Sequence, residues 1–174
     1  MLTIYGPPHE KQASRPFRVI SMSFSGKPTT VVDQTIENNG FWPDLSLAEF
    51  QKAYRLPGEY LADLLVTQLN MAMYQVNQDL HRLTAKWQAL GITNVATADS
   101  RLLPERSHQV ELYKRAVYCR AKGALLTDFA TVTRRESAEN TGKEAPERGE
   151  KYQEFSQQAV RALQGRSRIT VSLQ

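Results

Sequence analysis

Residues that build disulfides and metal centres are scarce in this chain. One cysteine, Cys119, excludes an internal disulfide framework and a cysteine-built zinc site. The three histidines, His9, His81 and His108, stand too far apart in sequence to form a spaced metal pair. No apolar run approaches the roughly 18 residues that a membrane span requires. The first residues, MLTIYGPPHEKQ, lack the basic-then-apolar order of a signal peptide, so a reducing cytoplasm is the expected setting for synthesis.

Catalytic motifs are missing as well. Leu56-Pro57-Gly58 reads as a helix entry, and neither GxxxxGK[ST] nor GxGxxG occurs. There is no GxSxG elbow and no HExxH helix. Acidic residues are scattered without the spacing of a carboxylate metal site. Asp79 and Glu105 lie near His81 and His108 in sequence, yet both histidines read as exposed polar-face residues. Cys119, among small apolar neighbours, reads as a buried and unreactive thiol. The expectation is a protein that is not an enzyme and needs neither cofactor nor metal.

What remains is ordinary for a folded protein. The 174 residues are 41% hydrophobic and 23% charged, enough for one domain with a real core. Lys+Arg 22 against Asp+Glu 18 gives a net charge of +4, far below the loading of a typical sequence-independent DNA binder.

Along the chain, residues 1–43 hold five of the eight prolines (Pro7, Pro8, Pro16, Pro28 and Pro43) and few helix signals. Two β-like runs, 17–24 and 29–36, suit either a small hairpin or an extended arm lying across a partner. Helix signals begin after Pro43. Ser46 and Glu49 form a capping box, with Leu45 and Phe50 at the staple positions, and this short helix ends before Pro57. Over 57–90, Leu61, Leu65, Leu69, Ala72, Val76, Leu80, Leu83, Trp87 and Leu90 recur at intervals of 3 and 4, predicting one long helix of about 51 Å. Pro57 suits its first position and Gly91 its end.

A third helix is predicted over 105–131. Val110, Tyr113, Val117, Ala121 and Ala124 make one apolar stripe; Leu112, Ala116, Cys119, Gly123, Leu126 and Ala130 make a second, so this helix should lie between two neighbours. Residues 133–151 carry five basic and five acidic side chains and little apolar surface, predicting a mobile loop. A fourth helix is expected over 149–164, with Tyr152, Phe155, Ala159, Val160 and Leu163 on one face and Gly165 as its stop. Beyond it Ile169, Val171 and Leu173 alternate with Arg168, Thr170 and Ser172, a strand that pairs either with a neighbouring chain or with the N-terminal runs of its own. The predicted fold is mainly α: a helical bundle (44–165, with a charged loop near 133–149), an extended N-terminal arm (1–43) with short β segments, and a C-terminal strand tail (166–174).

Binding is the function class with most to work on. Lys114, Arg115 and Lys122 share a flank of the third helix, and Arg134 and Arg135 come after it; they suit either a phosphate backbone or an ordinary solvated face. Tyr74, Trp87, Tyr113, Phe129 and Phe155 fit core positions better than a base-stacking platform.

Three segments carry a family resemblance: NNGFWPDLSLAEFQKAYRLPGEYL (38–61), ELYKRAVYCRAKGALL (111–126) and VRALQGRSRITVSLQ (160–174). In their order and spacing they resemble the head completion (head stabilisation) protein of P2-like tailed phages. Within them stand the aromatic-Pro-Asp entry at 41–44, the Tyr-x-x-Ala-Val step at 113–117 and the close at 164–172. The first 37 residues match nothing in that pattern.

The resemblance implies a structural adaptor of the virion, made in the bacterial host, that joins the portal vertex after DNA packaging. It implies a twelvefold ring of copies that continues the DNA channel and offers the tail a platform, with the portal protein and a tail completion or terminator protein as partners. On that reading Arg168, Ile169, Val171 and Leu173 anchor the tail strand on a portal subunit or a neighbour. Phe41, Trp42, Leu112, Cys119 and Leu126 pack between subunits, while Arg115 and Lys122 touch passing DNA without sequence preference. The alternative is a helical DNA-binding module of packaging or regulation, which would gather its basic residues on one accessible face.

Overall fold

The structure, a computed structural model, describes residues 31–56, 60–133 and 141–166, with side chains throughout except at 129–133 and 141–148. The described chain is mainly helical. In order it forms β1 (Thr35–Ile36), β2 (Leu45–Ser46), α1 (Leu47–Ala53), α2 (Ala62–Asp79), α3 (His81–Ala89), α4 (Arg106–Thr133) and α5 (Thr141–Leu163). The predicted strand at 17–24 and, except for Arg166, the tail strand at 166–174 lie outside the described residues. Of the run at 29–36, only Thr35 and Ile36 form a strand, antiparallel to Leu45 and Ser46.

Local chemistry sets the helix ends. Ser46 caps α1 by accepting the Glu49 N–H at 3.1 Å, as its sequence pattern predicts. The reciprocal half of the capping box does not form. The Ser46 N–H goes instead to the Tyr118 hydroxyl at 3.2 Å, which frees the Glu49 carboxylate for α4. Gly91 and Gly165 sit at φ 85 and 69 just past α3 and α5, where a side chain would be strained. Each helix end is closed by paired 5→2 and 6→1 hydrogen bonds: Gly91 to Gln88 and Ile92 to Trp87, then Gly165 to Ala162 and Arg166 to Arg161.

The single helix expected over 57–90 is two helices. α2 begins at Ala62, and the backbone leaves helical geometry at Leu80 (φ −98, ψ 2) before α3 starts. The His81 imidazole lies 2.7 Å from the Gln78 carbonyl and supplies a partner at the break. Leu80 is fully buried, as are Val76 on one side and, nearly so, Trp87 on the other. The apolar stripe therefore stays in phase through the break, and periodicity alone cannot reveal it. At the stripe's two ends Leu61 and Leu90 are 75% and 57% exposed.

α4 is the axis of the fold. It packs against α5 and α2, and every residue from 116 to 121 is buried, as two apolar stripes require. Arg120 ties three helices together: its guanidinium meets Asp79 of α2 at 2.7 Å and Ser156 of α5 at 3.2 Å. α4 and α5 approach closely at Gly123 and Gly149, where a Cβ on Gly123 would stand 3.0 Å from the Gly149 carbonyl. The helix α5 starts at Thr141, so much of the expected loop is helical. Its contact at Gly149 is made by backbone, which no apolar pattern announces.

Candidate functional site

Two clusters of unusual chemistry flank α4. The first is internal. Asn39 accepts the Phe41 and Trp42 N–H groups on its side-chain oxygen, both at 3.1 Å, and folds the 38–43 segment into a tight loop. This loop drives Trp42 into the core. The indole stacks on Tyr113 with centroids 4.6 Å apart, meets Trp87 at 5.7 Å and donates to the Thr84 hydroxyl at 3.1 Å. Beneath it a closed ring of hydrogen bonds runs from Asn38 to Tyr113 (2.8 Å), Tyr113 to Asn77 (2.8 Å) and Asn77 back to Asn38 (2.9 Å). Each member donates once and accepts once around the ring, an arrangement that polarises every bond in it. Burial pushes the Tyr113 hydroxyl far above the ordinary tyrosine value, against the opposite pull of Asn38 and Asn77. Asn94 closes the loop from outside by donating to the Gly40 carbonyl at 2.8 Å.

The second cluster faces solvent. A cleft of about 460 Å³ opens between α1, α4 and α5, lined among others by Glu49, Tyr54, Leu112, Arg115, Cys119 and Phe155. A further cleft of about 420 Å³, lined by Lys122, Leu126, Lys151, Tyr152 and Phe155, continues it. Leu112, Arg115, Cys119, Lys122 and Leu126 are spaced 3, 4, 3 and 4 apart, so one face of α4 forms the wall of both. We refer to the two clefts together as the groove.

Electrostatics in the groove are largely satisfied from within. Glu49 holds Lys114 at 3.1 Å and accepts from the Tyr118 hydroxyl at 3.1 Å. The Lys122 ammonium donates to the Tyr54 carbonyl at 2.7 Å and lies 4.5 Å from the centre of the Tyr152 ring. Arg115 sits 5.5 Å from the centre of the Phe155 ring, which Lys151 also approaches, to 5.3 Å. Burial pushes the Cys119 thiol up, and a contact of 3.6 Å pairs it with the Tyr54 hydroxyl; burial likewise raises Tyr54, with Cys119 adding to the shift. Such a thiol is a poor nucleophile.

The structure thus brings Leu112, Arg115, Cys119, Lys122 and Leu126 together on one wall. It separates Phe41 and Trp42 from them: those two are 4% and 1% exposed within a single chain, and Cys119 is 3% exposed. These three side chains have almost no surface to offer a second subunit. Leu112 and Leu126 are half-buried and keep some. Arg168, Ile169, Val171 and Leu173 lie outside the described residues. His81 and His108 are exposed, as expected, whereas Tyr74, expected in the core, is 64% exposed on α2. Glu49, Tyr54 and Tyr118 are not legible in the sequence as groove residues, because their meeting depends on α1 docking across α4.

Among the described residues no group of three or more His, Cys, Asp or Glu side chains could hold a metal ion, and no helix is long and apolar enough to cross a membrane. The surface that the fold assembles along the groove combines aromatic, aliphatic and charged side chains. Residues 36–173 match the family model described as phage head completion protein (GPL). A probable head completion/stabilization protein of Haemophilus phage HP1 (strain HP1c1) is 30% identical over 150 residues, covering 86% of this chain and 99% of that one. No solved structure matches the chain. The chain belongs to the phage head completion protein family, and its role is a structural one in head assembly.

Proposed function

We propose that this protein is the adaptor that joins the portal vertex once DNA is packaged, extends the DNA channel and gives the tail its docking platform. Copies of the chain form a ring, twelvefold by family resemblance, made within the host cytoplasm and retained at the head–tail junction. The portal protein lies on one side and a tail completion or terminator protein on the other. A head-to-tail ring needs two different faces on each subunit. The observation that carries the reading is the groove: half-buried Leu112 and Leu126 mark its ends, and no element of the described chain fills it.

In this reading Leu112 and Leu126 contribute to packing between subunits, and Arg168, Ile169, Val171 and Leu173 anchor the tail on the portal or a neighbour. Exposed Arg115 faces the DNA path. Lys122 adds positive potential there, although its ammonium is engaged with Tyr54 and Tyr152. A net +4 per chain, repeated around a ring, suits a conduit that must not grip its cargo. Deleting residues 166–174 is the test: the truncated chain stays helical by circular dichroism but no longer joins DNA-filled heads. Normal joining by that chain overturns the anchoring role.

A further inference from the structure

The groove has a natural occupant within the same chain. α4 and α5 run antiparallel, since Arg120 meets Ser156 while Gly123 meets Gly149. Counting seven residues onward from Ser156 and seven back from Arg120 places Leu163, the end of α5, level with Tyr113. The groove's first wall residue, Leu112, is therefore beside the point where α5 stops. Gly165 then takes φ 69 and ends the helix, so the chain leaves α5 level with that end of the groove.

The segment beyond Arg166 matches the groove in both length and pattern. From Leu112 to Leu126 the groove wall runs 14 residues of helix, about 21 Å. The seven residues 167–173, extended, reach about 23 Å. Their apolar side chains Ile169, Val171 and Leu173 alternate, so all three can face one surface while Thr170 and Ser172 face water. The surface available to them is ringed by Tyr54, Tyr152 and Phe155. At the mouth, Glu111 is mostly exposed and, among the described residues, ion-pairs with Lys114 at 3.9 Å, which leaves its outer face to meet Arg168 as the tail enters.

We infer that in the free subunit residues 167–174 fold back along this groove, with Ile169, Val171 and Leu173 on its aromatic floor and Arg168 beside Glu111. The docking stands on the geometry alone. It rests on the adaptor reading for its consequence: the tail must leave its own groove before it can engage a portal or a neighbour, so one segment serves both to keep the subunit soluble and to commit it.

The test uses the full chain with Cys119→Ala as background. Leu126→Cys with Leu173→Cys places one thiol in the groove and one near the tail's end. Tyr74→Cys with Leu173→Cys is the control, because Tyr74 lies on the outer face of α2. Under mild oxidation at high dilution, the groove pair forms an intrachain disulfide at least about tenfold faster than the control pair, as a docked tail raises the local thiol concentration. Equal rates, disulfides between chains only, or none at all overturn the docking. If Leu126→Cys loses the helical circular dichroism of the parent, Leu112→Cys with Ile169→Cys makes the same comparison at the groove mouth. Failure here leaves the deletion test of the adaptor reading standing, so the two can be told apart.

Discussion

The Trp42 indole lies flat on the Tyr113 ring, with centroids 4.6 Å apart and planes 4° from parallel. This one contact joins the 38–43 loop to the axis of the fold, and the ring of hydrogen bonds through Asn38 and Asn77 locks it. Trp42→Ala should cost about 3–5 kcal/mol in urea denaturation, the range for removing a buried aromatic ring. Tyr113→Phe keeps the stack and breaks the ring of hydrogen bonds; it should cost about 1–3 kcal/mol, since Asn38 and Asn77 each lose a partner.

Gly123 is the point where α4 admits α5. An added Cβ would meet the Gln153 amide at 2.8 Å and the Gly149 carbonyl at 3.0 Å. Gln153 can swing away, but the Gly149 backbone cannot. Overpacking at about 1–3 kcal/mol set against the roughly 1 kcal/mol that alanine gains in helix propensity gives a net destabilisation of up to about 2 kcal/mol for Gly123→Ala. Thermal unfolding monitored by circular dichroism checks this, with a lower midpoint expected.

Arg55 presents the opposite case. It occupies the residue after the α1 cap at φ 47, is exposed, and carries the turn that Leu56 completes by donating to the Gln51 carbonyl. A side chain in the left-handed region is strained, so Arg55→Gly should stabilise by about 0.5–1 kcal/mol. Chemical denaturation would show a higher midpoint with an unchanged slope.

Three tyrosine hydroxyls, those of buried Tyr113 and Tyr118 and of half-buried Tyr54, weaken the fold at alkaline pH. Tyr54, Tyr113 and Tyr118 are all raised above the ordinary value of 10.0, in each case chiefly by burial. Because the folded state holds these protons more tightly than the unfolded state, their contribution is complete below about pH 10 and is lost as pH rises further. Stability measured from about pH 8 to 11 should be flat at first and then fall. Tyr113→Phe should soften the fall.

Much of this architecture is legible in the sequence, and the exceptions share a cause. Ser46, Gly91 and Gly165 announce helix ends because capping is local chemistry. The two stripes of α4 announce its central place because burial on two sides needs apolar residues on two sides. The break at Leu80 is silent, since the stripe stays in phase across it. The start of α5 is silent too, because Gly149 packs by its backbone. The groove is half legible: its wall tracks the periodicity of α4, whereas Glu49, Tyr54 and Tyr118 meet only through α1, which docks some 65 residues away in sequence. Nothing in the residues around Arg55 signals its left-handed turn.

The adaptor proposal puts this chain at the portal vertex, in a ring. Electron cryomicroscopy of DNA-filled heads completed with the protein tests it most directly. The expected result is a closed ring of copies stacked on the portal along the channel axis, with α4 and α5 resolved in each subunit. Completed heads whose portal carries no such ring, or in which the protein is distributed over the shell, would contradict it.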